Sequence, residues 1–268
     1  MFRSLQIEWM KIKNYRVFQV FSVLYLLGIV LIVWVVYKAY MAMMQQLMSA
    51  ATNNRQAEAH DIFRLFSADT IWQTVCFWTG LLLYLPGMII IMLFINEVNF
   101  KTHRQNIIDG WKRETFIYTK IGLIVCISLA VTIMNIVATF VMCQVTGIEF
   151  SIISGLDTLA YCFLQAFIYL LFALLLATFF RKSGIAIIVF IIYGLVLESF
   201  LVVILNRFLP GAYIYFLPLQ VADSLIPFPP MKDFYANMPS RSVLLVGTLA
   251  ILTLYTSLTV RKYKYDDL

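Results

Sequence analysis

NEVNFKTHRQNIIDGWKRE (Asn96–Glu114) is a polar, basic stretch that separates two long apolar runs and is too charged to cross a bilayer. Arranged as a helix, it divides into an apolar stripe and a polar face. The stripe holds Phe100, Ile107, Ile108 and Trp111, and the polar face holds Lys101, Arg104, Gln105 and Asp109. Gly110 is a natural stop, because glycine accepts the left-handed conformation that ends helices. The pattern predicts a short amphipathic helix between two membrane spans, which suits docking on another protein better than passive tethering.

The composition of the chain excludes an ordinary soluble domain. Of its 268 residues, 62% are hydrophobic and 13% charged, and the mean hydropathy is +0.87. A soluble domain carries about 25% charged residues. The charges that remain are gathered in a few islands, and the apolar runs between them are long enough to span a bilayer. We therefore predict an all-α polytopic membrane protein forming one transmembrane domain over residues 1–268.

Six apolar runs have the length of a membrane span. They lie at about 17–37, 71–95, 121–143, 158–180, 184–205 and 242–260. Each is close to the roughly 20 residues that cross the hydrocarbon core as a helix. Helices are expected because backbone amides in lipid must bond within their own segment, and the alternating pattern of barrel strands does not recur.

The placement of Lys and Arg predicts the orientation. With the N-terminus inside, 14 of the 20 basic residues fall in inner segments and six in outer ones. The positive-inside rule then places both termini in the cytoplasm. The net charge of +6 is explained by topology, and nucleic-acid binding is excluded because the cations are scattered over separate loops.

Cysteine and histidine positions argue against metal or catalytic chemistry. The four cysteines all lie within predicted spans and show no CxxC spacing: Cys76, Cys126, Cys143 and Cys162. His60 and His103 both lie outside the spans. Intramembrane hydrolysis, zinc or haem would need clustered ligands or paired histidines near mid-bilayer. We expect no metal, no cofactor bound by this chain and no enzymatic activity of its own.

Two segments outside the spans carry structural patterns. Residues 1–15 repeat apolar side chains at helical spacing, which predicts an amphipathic helix in the headgroup layer with Trp9 as an anchor; the alternative is a simple basic leader. Residues 206–219 are too apolar for a free loop, yet they are broken by Pro210 and Pro218. They predict a re-entrant or interfacial element on the outer face, buried against protein.

Two polar residues inside the spans are candidates for a transport pathway. Glu198 is the only acid well inside a span, and such carboxylates are functional by default. The structural alternative is that Glu198 lies near the outer boundary and pairs with Arg207 or stays protonated. Asn135 is a candidate for an interhelical hydrogen bond. A channel or an ion-coupled secondary transporter using Glu198 is the alternative function that these residues leave open.

The region around Asn96–Glu114 resembles the segment after the second span of type-2 ABC exporter permeases. The likeness rests on Glu97, Thr102, the run Ile107–Arg113 and Lys120, and Trp111 stands where that family usually has Ser or Pro. In that family the segment is the coupling helix that docks on the ATPase. Its implied coupling residues here are Glu97, Phe100, Thr102, Arg104, Ile107, Ile108, Gly110, Trp111 and Arg113. The opening Leu5–Lys11 similarly resembles the family's N-terminal elbow helix.

This resemblance implies the permease subunit of an ATP-driven exporter in the bacterial cytoplasmic membrane. The sequence contains no G-x-x-x-x-G-K-[ST] loop, so ATP and Mg²⁺ are expected on a separate ABC ATPase subunit, in two copies. A second permease, identical or homologous, is expected to complete the path. The aromatic content of 16% is compatible with an amphipathic, peptide or lipid-like substrate, although interfacial aromatic belts account for much of it.

Overall fold

The fold is a bundle of helices. The computed structural model describes residues 2–13, 15–52, 67, 70–102, 113–208, 211–227 and 238–265, and no strand occurs among them. Six helices in this part of the chain are long and apolar enough to cross a membrane. The prediction of an all-α, multi-pass membrane protein is therefore confirmed.

The helices begin and end at the following residues. An N-terminal helix, α1, spans Phe2–Lys13. The membrane helices are α2 (Arg16–Thr52), α3 (Ile71–Asn99), α4 (Arg113–Thr146), α5 (Ile152–Phe180), α6 (Ser183–Ile192 continued by Tyr193–Leu197 and Glu198–Phe208) and α8 (Arg241–Tyr265). Residues 211–227 lie between the last two, with a 3₁₀ turn at Ala212–Phe216 and a short helix α7 at Gln220–Asp223. We call them the outer segment, after the side of the membrane on which the sequence predicts them.

Several helices extend beyond the predicted spans. α2 runs to Thr52, well past residue 37, and α4 begins at Arg113 instead of 121. Hydropathy marks the part of a helix that sits in hydrocarbon, whereas helix propensity in flanking segments such as Met41–Met48 carries the helix further. The turn between α5 and α6 is short, because Arg181 adopts the left-handed conformation (φ +48°) that ends α5 and α6 begins at Ser183.

Helices α3 and α5 form the centre of the bundle. In their most apolar windows, 61% and 67% of the residues are buried, against 17% in α2 and 11% in α6. α3 turns 3₁₀ at Leu81–Leu83 before it resumes. The cause is Pro86, whose ring lacks an N–H and crowds the carbonyl of Leu82 four residues earlier. α6 contains a π turn at Tyr193–Leu197, immediately before Glu198.

The outer segment packs deep between the helices. Ile214, Leu219, Val221 and Ala222 are buried. The hydroxyl of Tyr255 donates to the carbonyl of Pro218 at 3.3 Å. Tyr255 lies 14 residues from the start of α8, about 20 Å along the axis at 1.5 Å per residue. The outer segment therefore reaches well down the length of the bundle.

A close helix contact at Gly87 provides a test of the packing. A Cβ atom there would lie 2.4 Å from the ring of Phe190, which is fully buried. We expect Gly87→Ala to destabilise the bundle by about 1–3 kcal/mol through overpacking, despite the better helix propensity of alanine. Gly184→Ala is the matched control, since no atom lies within 4 Å of its Cβ position. Unfolding in mixed micelles measures both; equal stability of the two variants would contradict the packing at Gly87.

Candidate functional site

A buried ion cluster ties the N-terminal helix to the two ends of the α3–α4 connection. Lys120 of α4 contacts the carboxylate of Glu8 of α1, and its Nζ lies 2.6 Å from Oε1 of Glu97 at the end of α3. Lys11 adds contacts of 3.2 Å to Glu8 and 4.0 Å to Glu97. We call these four residues the Lys120 cluster. It holds together α1, the end of α3 and the first turns of α4, which are distant from one another in sequence.

The charges of the Lys120 cluster balance. Two ammonium groups face two carboxylates, and the side chains of Glu8 and Lys120 are 2% and 4% exposed. Burial on its own would raise the pKa of Glu8, but the charges and hydrogen bonds of Lys120 and Lys11 outweigh it, so this pKa is lowered from its ordinary value. Loss of one partner would leave a buried charge uncompensated, which costs several kcal/mol.

A second contact strengthens the same junction. The side-chain amide of Asn96 donates to the hydroxyl of Tyr15 at 2.5 Å, joining the end of α3 to the turn between α1 and α2. The helical spacing of Phe2, Leu5, Trp9 and Ile12 predicts that Glu8 lies on an opposite polar face of α1. That prediction is wrong, because Glu8 is buried, as is Ile12 one turn later. Trp9 points outward, as expected of an anchor at a membrane surface.

The described coupling residues surround the start of the α3–α4 connection. Glu97 belongs to the Lys120 cluster, Phe100 is 77% exposed, and the hydroxyl of Thr102 donates to the carbonyl of Glu97 at 3.2 Å. Lys101 adopts a left-handed conformation (φ +56°) and ends α3. Phe100 therefore lies between the end of α3 and the left-handed Lys101, and the rest of the predicted amphipathic helix lies outside the described residues.

The remaining coupling residues lie beyond this start. Arg104, Ile107, Ile108, Gly110 and Trp111 fall outside the described residues. Arg113 is the first residue of α4, but its side chain is not among those described. Their proposed contact with an ATPase stays a prediction.

Glu198 anchors the outer segment. Its carboxylate Oε1 accepts hydrogen bonds from the backbone amides of Leu219 at 2.7 Å and Gln220 at 2.8 Å, at the start of α7. The side chain is buried, whereas Arg207 is exposed and forms no ion pair with it. Of the alternatives left open for Glu198, the ion pair with Arg207 is therefore not formed. The first amides of a helix have no acceptor within the helix, so these two donors can stabilise the carboxylate of Glu198 as a nearby cation would.

A second carboxylate, half-buried and missed by the sequence analysis, lies beside this anchor. Asp223 accepts hydrogen bonds from the side-chain amide of Gln165 at 2.8 Å and from the hydroxyl of Tyr169 at 2.9 Å, both on α5. The only signal in the sequence was a polar pair, Gln165 and Tyr169, one helical turn apart on an apolar helix. Asp223 itself lies 58 residues after Gln165 and 54 residues after Tyr169.

Asn135 connects three helices of the core. Its side-chain oxygen accepts a hydrogen bond from the hydroxyl of Thr79 on α3, and its side-chain amide donates to the sulfur of Cys162 on α5 at 3.0 Å. This is the interhelical hydrogen bonding predicted for Asn135. Both ends of the amide are engaged within the bundle.

Removal of the central cation tests the Lys120 cluster. We expect Lys120→Met to lower the free energy of unfolding by about 3–5 kcal/mol, because two carboxylates are left facing one another in a buried site. Adding Glu8→Gln should recover part of this loss. Lys264→Met is the control, since Lys264 pairs with Glu114 at 2.6 Å in an exposed position and should change little. Additive losses of Glu8→Gln and Lys120→Met would contradict the coupling.

Glu198 can be tested in the same way. Glu198→Leu leaves the amides of Leu219 and Gln220 without an acceptor, at about 1–3 kcal/mol for each buried group. Glu198→Gln keeps one acceptor oxygen and should lose less. Glu149→Leu, at an exposed acid, should be neutral. If Glu198→Leu unfolds at the same denaturant concentration as Glu149→Leu, the anchor has no energetic role.

No protein-family model matches this chain, and no curated protein matches it. The class of multi-pass membrane protein follows from the six apolar helices. The contacts that bear on function are those of the Lys120 cluster and those of Glu198 and Asp223.

Proposed function

We propose that the chain is the permease subunit of an ATP-driven ABC exporter, working with a separate ATPase subunit. The observation that supports this is the Lys120 cluster. Glu97 lies near the end of α3 and Lys120 about two turns into α4, and their contact at 2.6 Å joins the two helices that flank the connection. A segment held in this way can receive force from a partner and pass it to both helices at once.

The mechanism follows from the rigidity of that base. A groove on the ATPase receives the predicted apolar stripe of Ile107, Ile108 and Trp111. When two ATPases close on ATP, the connection is displaced. Because Glu8 shares Lys120 with Glu97, α1 moves together with α3 and α4. The helices then rotate as rigid bodies, so that the substrate path opens alternately to the two sides of the membrane.

The remaining features of the proposal follow the same scheme. Both termini lie in the cytoplasm, in agreement with the excess of Lys and Arg on that side. α1 is the elbow helix, with the exposed Trp9 in the headgroup layer. The outer segment is a re-entrant element whose backbone amides bond to protein groups instead of water. Glu198, for example, accepts the amides of Leu219 and Gln220. Two permeases and two ATPases form the complete exporter in the cell membrane, with ATP and Mg²⁺ on the ATPases.

An ion-coupled transporter is the second candidate function. One observation favours it: Glu198 is buried, Asp223 is half-buried, and neither forms an ion pair in the described part of the chain. The side-chain oxygen of Gln165, next to Asp223, is also buried without a hydrogen-bond donor. Buried carboxylates beside a free acceptor can hold a proton or a small cation. In this case transport would follow an ion gradient and need no ATP.

Co-purification with the ATPase decides between the two candidates. Ile107→Asp with Ile108→Asp places two charges in the proposed docking stripe, and we expect retention of the ATPase to fall at least about tenfold, as for interface hot spots. Ile152→Asp with Ile153→Asp is the control, because both residues are exposed at the opposite end of the bundle, where the start of a helix tolerates acids. The readouts are ATPase bound per tagged permease and ATP hydrolysis by the complex.

Two results would contradict the exporter. The first is a permease that purifies from its native membrane without any ATPase. The second is equal retention of the ATPase by the docking variant and by the control.

A further inference from the structure

A groove between α4 and α8 lies at the end of the bundle that carries the chain termini. Its volume is about 640 Å³, within the range of small-molecule sites. Glu114 and Tyr118 of α4 form one wall, and α8 forms the other from Leu252 to Tyr265. It is separate from the Lys120 cluster, and the exposed ion pair of Lys264 and Glu114 lies in its lining.

Arg261 is a basic residue of the groove that has no ion pair in the described part of the chain, and it is exposed. Lys264 and Glu114, which also line the groove, pair with each other at 2.6 Å. A second hollow of about 390 Å³ is lined by Arg261 as well, together with Lys262 and Tyr265. Arg261 therefore borders both hollows, and an anion would complement its guanidinium.

The groove is also long enough for a lipid chain. From Arg261 to Leu252 it follows α8 for nine residues, about 13 Å along the axis, close to the half-thickness of a bilayer core of about 30 Å. The hydroxyls of Thr253, Thr256 and Ser257 face this path, but each donates to a carbonyl of α8 at 2.8 Å. Because these hydroxyl donors already have acceptors within the helix, the part of the groove between Leu252 and Ser257 is suited to an acyl chain.

We propose that this groove binds one anionic phospholipid of the adjacent leaflet. Its phosphate pairs with Arg261 at the headgroup level, where Tyr118 and Tyr265 form an aromatic rim. One acyl chain lies along α8 towards Leu252. Basic pockets between membrane helices bind such headgroups through the same combination of charge and apolar wall. The proposal is independent of the exporter function.

Native mass spectrometry of the full chain tests this binding. The protein is released from nanodiscs of equal phosphatidylglycerol and phosphatidylcholine, and the retained lipid is counted. We expect wild type to retain phosphatidylglycerol about fivefold over phosphatidylcholine, the effect of one basic side chain near a lipid surface. Arg261→Gln should abolish this preference. Lys182→Gln removes the same charge from an exposed turn at the same end of the bundle and should preserve it.

Thr253→Phe tests the location independently of charge. Thr253 is exposed to the groove, so a phenyl ring there fills it without disturbing the core, and retention of both lipids should fall. The proposal is overturned if wild type shows no preference for phosphatidylglycerol, if Lys182→Gln removes the preference as fully as Arg261→Gln, or if Thr253→Phe retains as much lipid as wild type.

Discussion

A buried ammonium group needs carboxylates around it, and Lys120 obtains them from two different segments. Glu8 comes from α1 and Glu97 from the end of α3, so the pairing that neutralises Lys120 also fixes the N-terminal helix and both ends of the α3–α4 connection. Lys11 balances the second carboxylate. Because a single partner left alone in this site would be costly, the three segments behave as one unit. A displacement of the connection would therefore be shared by α1, α3 and α4.

The middle of the bundle satisfies its carboxylates by another route. Glu198 accepts backbone amides at the start of α7, and Asp223 accepts an amide and a hydroxyl from α5. These bonds hold the outer segment between the helices, where its backbone would otherwise lack partners. The two regions thus differ in chemistry. Ion pairs secure the end with the termini, and hydrogen bonds to uncharged donors secure the outer segment.

Hydropathy alone located the membrane helices, because the cost of charges in hydrocarbon is a local property of the sequence. It did not give helix ends such as Thr52, which lie outside the apolar runs. The sites depend on partners distant in sequence. Glu8 has the spacing of a polar surface residue, and only its contact with Lys120, 112 positions away, makes it a core residue. Asp223 was missed for the same reason, whereas Asn135 was found because a lone amide in a span has few uses besides an interhelical bond.

The central claim is that the α3–α4 connection receives force from an ATPase and transmits it through the Lys120 cluster. Cryo-electron microscopy of the complex from native membranes, without nucleotide and with a non-hydrolysable ATP analogue, tests it most directly. The account predicts that residues 103–112 contact the ATPase in both states and that α1 moves with the ends of α3 and α4 as one body. A connection that touches no other subunit, or an α1 that stays in place while the connection moves, would contradict it.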